Sequence, residues 1–232
     1  MKTIGLIGGM SWESTVTYYQ VINETIKREL GGLHSAKIVL YSVDFDEIEK
    51  YQASGEWDKS ADVLSNAAER LEKAGADFIV ICTNTMHKVV PQMKERIGIP
   101  IVHIAEATAD KLKEHGITTV GLLGTKYTMT QDFYKDKLIQ AGIRVIIPDD
   151  NDVETVNAVI YDELCLGNII SASKDKYLEI IRKLEDVGAQ GVILGCTEIG
   201  LLVNQKDVEL PVFDTTLIHA EKAALTAINE SM

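Results

Sequence analysis

Proline is scarce in this chain of 232 residues, four in all, and aromatic residues make up only 6%. With just 17 glycines beside them, collagen-like and mucin-like compositions are excluded. The three cysteines, Cys82, Cys165 and Cys196, form no CxxC pair and leave an odd number. That pattern argues against a disulfide framework or a zinc site and fits a reducing cytoplasm. Positive charge is in deficit: 23 Lys plus Arg stand against 35 Asp plus Glu, a formal net charge of −12. A field of that sign repels phosphate backbones and anionic lipid, so neither nucleic acid nor a membrane surface is an expected partner. No apolar run approaches the roughly 18–20 residues of a transmembrane helix. The opening segment MKTIGLIGGMSWES reads as a first strand and turn, because its apolar stretch breaks at Gly8-Gly9 without a small-residue cleavage site. What is present, 46% hydrophobic and 25% charged, suffices for one large domain or two lobes.

Apolar runs rich in Ile, Val and Leu alternate with helical patterns. Buried strands are expected at Thr3–Ile7, Lys37–Tyr41, Phe78–Ile81, Thr119–Leu123, Arg144–Ile147 and Gly191–Leu194. Helices are expected over Glu13–Leu30, Asp58–Lys73 and Lys174–Val187, with Gly75 and Gly188 as C-terminal caps. Strands that are apolar throughout imply an α/β fold with mostly parallel sheets covered by helices on both faces.

The chain also repeats itself. KTIGLIGG (2–9) matches TTVGLLGT (118–125) at an offset of 116, GADFIVICTNT (75–85) matches GAQGVILGCTE (188–198) at 113, and IPIVHI (99–104) matches LPVFDT (210–215) at 111. Three segments in one order at nearly constant offset predict two pseudo-symmetric lobes. With no Gly/Ser- or Pro-rich linker between them, the lobes are expected to pack around a cleft.

Open parallel sheets bind ligands beyond the carboxyl ends of their strands. Both copies of the second repeat end there, in Cys82-Thr83-Asn84-Thr85 and in Gly195-Cys196-Thr197-Glu198. The offset of 113 pairs Cys196 with Thr83 and Cys82 with Gly195. Neighbouring strand residues point to opposite sides, so Thr83 should face the same way as Cys196, while Cys82 points away. A thiol and a hydroxyl at pseudo-symmetric strand ends suit removal of a proton from one face of a carbon and delivery to the other. Free backbone N–H groups at the strand-to-helix junction would stabilise a Cys196 thiolate. A buried structural thiol is the competing reading, since free cysteine is among the most buried residue types.

GLIGGMSWEST (5–15), CTNTMH (82–87) and GCTEIGLL (195–202), together with the repeat, resemble the aspartate/glutamate racemase family. The resemblance runs over nearly the whole chain. It implies a cofactor-independent isomerase of two α/β lobes, with an active site in the cleft and a homodimeric assembly. It also implies that the chain crosses between lobes before Pro211, giving lobes 1–101 with 211–232 and 102–210. Most members carry cysteine directly before Asn-Thr; here that position is Thr83. This is similar to the bacterial L-aspartate/glutamate-specific, broad-specificity subgroup, which carries threonine there.

The resemblance makes Thr83 and Cys196 the catalytic pair. Cys196 would take the α-proton of an L-amino acid and Thr83 would reprotonate the other face, which favours the L-to-D direction kinetically. His87, four residues beyond Thr83, is either a relay to its hydroxyl or a packing histidine. Glu198 either accepts the substrate ammonium or complements a helix N-terminus. Asn84, Thr85, Thr125 and Thr197 supply neutral donors for an α-carboxylate whose charge grows in the transition state. Met10 lies in a turn whose backbone could donate. The basic positions that hold a side-chain carboxylate in other members align with Gln52 and Cys165, both uncharged, so uncharged substrates such as homoserine are admitted. No nucleotide loop, metal-ligand spacing or cofactor requirement is evident. The alternatives are a one-cysteine relative of the arylmalonate decarboxylase or maleate isomerase type, and a small-acid binding protein without catalysis.

Overall fold

Strands β1 (Thr3–Gly8), β2 (Lys37–Ser42), β3 (Phe78–Ile81) and β4 (Ile101–Val102) form a first sheet in a computed structural model that describes residues 1–229. The sheet is parallel throughout, in the order β2-β1-β3-β4. A second sheet repeats the plan with β5 (Thr119–Gly124), β6 (Arg144–Ile146), β7 (Val192–Gly195) and β8 (Val212–Asp214) in the order β6-β5-β7-β8. Each repeated segment of the sequence thus occupies the same place in its own sheet. Even the register agrees: Gly5 pairs with Ile79, and its counterpart Gly121 pairs with Val192. A Cβ on either glycine would come within 2.9 Å of a packed side chain, Ala76 or Ile79 in one case and Leu184 in the other. The shared glycine therefore answers a shared packing need.

Around the first sheet lie α1 (Trp12–Leu30), α2 (Phe45–Ser54), α3 (Trp57–Lys73) and α4 (Val90–Lys94). The remaining helices are α5 (Ile104–Glu114), α6 (Lys126–Thr130), α7 (Asp132–Gln140), α8 (Asp150–Asp162), α9 (Ser171–Asp186), α10 (Ile199–Leu202) and α11 (Thr215–Ile228). Helix α3 shows why the periodicity was legible: Ala61, Leu64, Ala68 and Leu71 lie on one buried stripe. That stripe packs with Ile7, Ile79, Ile81, Met86 and Met93 on one side of the sheet. On the other side Ile4, Leu6, Phe78, Val80 and Cys82 pack with Tyr18, Ile22 and Ile26 of α1 and with the alanines of α11. A sheet covered on both faces needs near-continuous apolar strands, which is what β3 and, after Thr3, β1 supply. Among the described residues, no helix is long and apolar enough to cross a membrane.

The described residues divide into one unit of 1–104 and 219–229, and another of 105–218. The return comes later than the crossing expected before Pro211, because β8 hydrogen-bonds to β7 and keeps that stretch in the second sheet. Likewise β4 extends the first sheet by pairing with β3, so residues 102–104 stay with the first unit.

His219 on α11 ties the first unit together. Its Nε2–H donates to the Val102 carbonyl at 2.8 Å, and its Nδ1 accepts the Tyr18 hydroxyl at 2.8 Å. Burial lowers its pKa to about 4, so the folded protein holds this ring neutral. The unfolded chain, titrating near 6.5, then binds the proton more readily, and stability must fall as pH drops from about 6.5 towards 4. The loss expected from this ring alone is about 3 kcal/mol. Urea unfolding across that range should show it, and His219→Gln should flatten the slope.

Candidate active site

In the first unit, β1 and β3 are adjacent and end together, so the turns that follow them share one edge of the sheet. The β1 turn is fixed by glycine. Gly9 has φ +92°, and a Cβ there would sit 2.2 Å from the Val43 carbonyl oxygen. Its N–H donates to Thr15 Oγ1 at 2.9 Å, and Ser11 caps α1 by accepting the Ser14 N–H. Met10 is 3% exposed, and its side chain belongs to the apolar core.

Beyond β3 the ladder continues for one residue, with the Cys82 N–H donating to the Ile7 carbonyl. The Cys82 side chain turns into the core against α1 and α11, and burial pushes its thiol far above the usual range. Thr83, next along, is partly exposed, whereas Asn84 and Thr85 are buried at the start of a 3-10 turn, Thr85–Val89. Cys82 thus points away into the core, as the repeat predicted. Cys82→Ala should accordingly keep activity within about twofold while costing on the order of 1 kcal/mol of stability, as small core truncations do. Gln52 is buried on α2 of the same unit.

His87 makes no bond to the Thr83 hydroxyl. A carbonyl can only accept, so its Nδ1–H donates to the Thr83 backbone oxygen at 2.9 Å; an amide can only donate, so its Nε2 accepts the Ile104 N–H at 3.2 Å. Both ring nitrogens are thereby committed to backbone, and a side-chain relay to Thr83 is not what this histidine provides.

The second unit presents the corresponding edge. Gly124 of β5 pairs with Gly195 of β7, so Thr125 and Cys196 follow paired residues on neighbouring strands. Thr125 caps α6, accepting the Thr128 N–H, and is 6% exposed. Cys196 is partly buried, and its S–H donates to Glu198 Oε2 at 3.0 Å. The Thr197 hydroxyl donates to the same oxygen at 2.6 Å. Cys196, Thr197 and Glu198 are therefore one hydrogen-bonded group within a single turn.

Its electrostatics run against the thiolate expected from the helix start. Burial and then the Glu198 carboxylate push the Cys196 thiol well above its ordinary value, with Cys165 adding to the shift. The Glu198 N–H favours the thiolate, as the strand-to-helix junction suggested, but it is outweighed. At rest this is a thiol hydrogen-bonded to a carboxylate. Tyr177, whose hydroxyl donates to the Val156 carbonyl at 3.0 Å, lies close enough to both Cys196 and Cys165 for its own titration to feel them. Sequence reading missed the Cys196–Glu198 bond, although the short i, i+2 spacing at a turn was its signal.

Comparison with known proteins agrees with this arrangement. The profile of the Asp/Glu/hydantoin racemase family matches residues 7–223. The broad-specificity amino-acid racemase RacX of Bacillus subtilis is 22% identical over 96% of this chain and 97% of its own length. The crystal structure of an aspartate racemase homologue from Pyrococcus horikoshii superposes with a TM-score of 0.84 at 38% identity, covering 99% of this chain and all of that one. A candidate Asp/Glu racemase from Yersinia pestis reaches a TM-score of 0.93 at 59% identity, again over 99% and 100% of the two chains. Two four-stranded parallel sheets in repeated order, a thiol–carboxylate pair at one strand end and these matches lead to one conclusion: the chain belongs to the Asp/Glu/hydantoin racemase family.

Proposed function

We propose that the protein is a cofactor-independent amino-acid racemase that moves protons at the α-carbon between two groups, Cys196 on one face and Thr83 on the other. The observation that carries this reading is the equivalent placement of the two residues by the internal repeat, Cys196 directly after β7 and Thr83 after β3 and its one added ladder residue, Cys82, with only Cys196 holding a carboxylate partner. In the forward step Glu198 takes the proton of the Cys196 S–H as the thiolate removes the α-proton of the L-substrate. The Thr83 hydroxyl then delivers its proton to the opposite face of the carbanion and is reprotonated through solvent. Proton and charge balance close over the cycle once Glu198 releases its proton.

Threonine is a far weaker acid than a thiol, so the reverse step, which needs it as base, is the slower one. Enantiomers have equal free energy, however, so kcat/KM must be the same in both directions. The preference for L-to-D turnover appears in kcat and is offset in KM. Asn84, Thr85, Thr125 and Thr197 are assigned to the substrate carboxylate, together with the backbone of the Met10 turn. In the resemblance, Gln52 and Cys165 align with the positions of a basic clamp for an acidic side chain. Neither carries positive charge, which supports turnover of uncharged amino acids alongside aspartate and glutamate. The three free cysteines fit a cytoplasmic setting. Trp12, Val16 and Tyr19, exposed at 65, 54 and 55% along one face of α1, support self-association as a homodimer.

Incubating the purified protein with a panel of L-amino acids and resolving the products by chiral chromatography tests the assignment. D-isomers of aspartate, glutamate or homoserine are expected without added cofactor, and Thr83→Cys should raise kcat in the D-to-L direction. Decarboxylation or cis–trans isomerisation of small diacids without racemisation would replace this reading by a one-cysteine chemistry, and no turnover at all by a binding role.

A further inference from the structure

Three histidines far apart in sequence converge inside the first unit. The ring of His87 lies 4.6 Å from that of His103 and 5.6 Å from that of His219, centroid to centroid. All three are at most 5% exposed. His219 is in turn fixed by Tyr18 and the Val102 carbonyl, so the cluster spans α1, the turn after β3, the end of β4 and α11. Within it, His87 contacts the backbone of a residue assigned to catalysis, through its bond to the Thr83 carbonyl.

The internal repeat shows how unusual this contact is. The counterpart of His87 in the second unit is Gly200, and the counterpart of His103 is Asp214. A Cβ on Gly200 would meet Asp214 Oδ2 at 2.7 Å, so in the second unit Asp214 occupies the space next to the position that matches His87. There the strand ends are tied directly, by the Thr215 hydroxyl donating to the Leu194 carbonyl at 2.9 Å. Glu198, the partner of Cys196, has Thr85 as its counterpart in the first unit. The two turns share a backbone plan, yet neither His87 nor Glu198 has a residue of its own kind at the matching position of the other turn.

We infer that His87 is a positioning residue for Thr83: a neutral imidazole that bridges the Thr83 carbonyl to the Ile104 N–H and so sets the orientation of the Thr83 hydroxyl. The role rests on the racemase reading of Thr83. Fixing the carbonyl fixes the plane of the Thr83–Asn84 peptide and with it the direction of the Thr83 Cα–Cβ bond, and the backbone so held limits the staggered rotamers open to this β-branched side chain. The bridge needs one donor and one acceptor on the same ring, which only the neutral Nδ1–H tautomer offers. Burial and the two neighbouring histidines hold the pKa of His87 well below the ordinary value, consistent with that tautomer at neutral pH.

The test separates positioning from general damage. In ²H₂O, a carbanion formed by Cys196 but no longer met by a well-placed Thr83 returns to the L-isomer and slowly acquires solvent deuterium. In His87→Leu, D-isomer formation should fall roughly 10–100-fold, the cost of a misplaced catalytic group, while deuterium entry into recovered L-substrate persists. The ratio of exchange to racemisation should rise at least about tenfold. His87→Gln, whose amide keeps a donor and an acceptor and cannot be protonated, should restore the wild-type ratio. Parallel loss of both rates, or no loss, would overturn the role. Independently of turnover, ¹⁵N resonances of the His87 ring at pH 7 should show the neutral Nδ1–H tautomer; a protonated ring or the Nε2–H tautomer would also overturn it. Wild-type protein that neither exchanges nor racemises any amino acid would instead remove the parent reading, and the role with it.

Discussion

Replacing Cys196 by alanine should reduce L-to-D racemisation by at least about 10³-fold, the range expected for loss of an essential acid–base group. In transition-state terms this is about 4 kcal/mol. The same change should abolish deuterium entry at the α-carbon of L-substrates, since no other thiol stands at that strand end. Cys165 influences Cys196 electrostatically but follows a different helix, in a 3-10 turn Leu164–Leu166. Stability should change little, because Cys196 is only partly buried and alanine leaves the strand end intact. A Cys196→Ala protein that still exchanged the α-proton of L-substrates would assign the base to another residue.

The second large effect concerns Glu198, which accepts hydrogen bonds from both Cys196 and Thr197. Glu198→Gln preserves the size of the side chain but removes the charge and the proton acceptor. Two consequences should move in opposite directions. The Cys196 thiol should ionise more easily, because a carboxylate that raised its pKa is gone. Turnover should nevertheless fall about 10²–10³-fold, because the thiol proton has lost its destination when substrate binds. Alkylation of Cys196 by iodoacetamide across pH measures the first, and chiral assay of the product the second. A variant with easier alkylation and unimpaired turnover would reduce Glu198 to a packing or ammonium-binding role.

The strands were legible because each sheet is covered on both faces, which forces uninterrupted apolar runs such as Phe78–Ile81. The inward direction of Cys82 was legible too, since a repeat that aligns Cys82 with Gly195 carries the alternation of the strand with it. The histidine cluster was not. His87, His103 and His219 come from three separate segments, and each alone looks like an ordinary buried side chain. Their meeting is decided by α11 returning to pack on the first sheet. The state of Cys196 was also hidden. A helix start argues for thiolate, and burial first, then the nearby Glu198 carboxylate, reverses the sign. The crossing near Pro211 was misplaced for a similar reason: a three-residue strand, Val212–Asp214, is too short to announce which sheet it joins.

Two opposed proton carriers make a strict demand on isotope flow. When unlabelled L-substrate is turned over in ²H₂O and sampled within the first turnovers, the D-product should carry deuterium at Cα while the remaining L-substrate keeps its original hydrogen. That outcome requires the incoming proton to come from a solvent-equilibrated group distinct from the one that removed the first, as Thr83 is from Cys196. D-product that retained the substrate's own α-hydrogen would contradict it, because a single group would then have carried the proton from one face to the other.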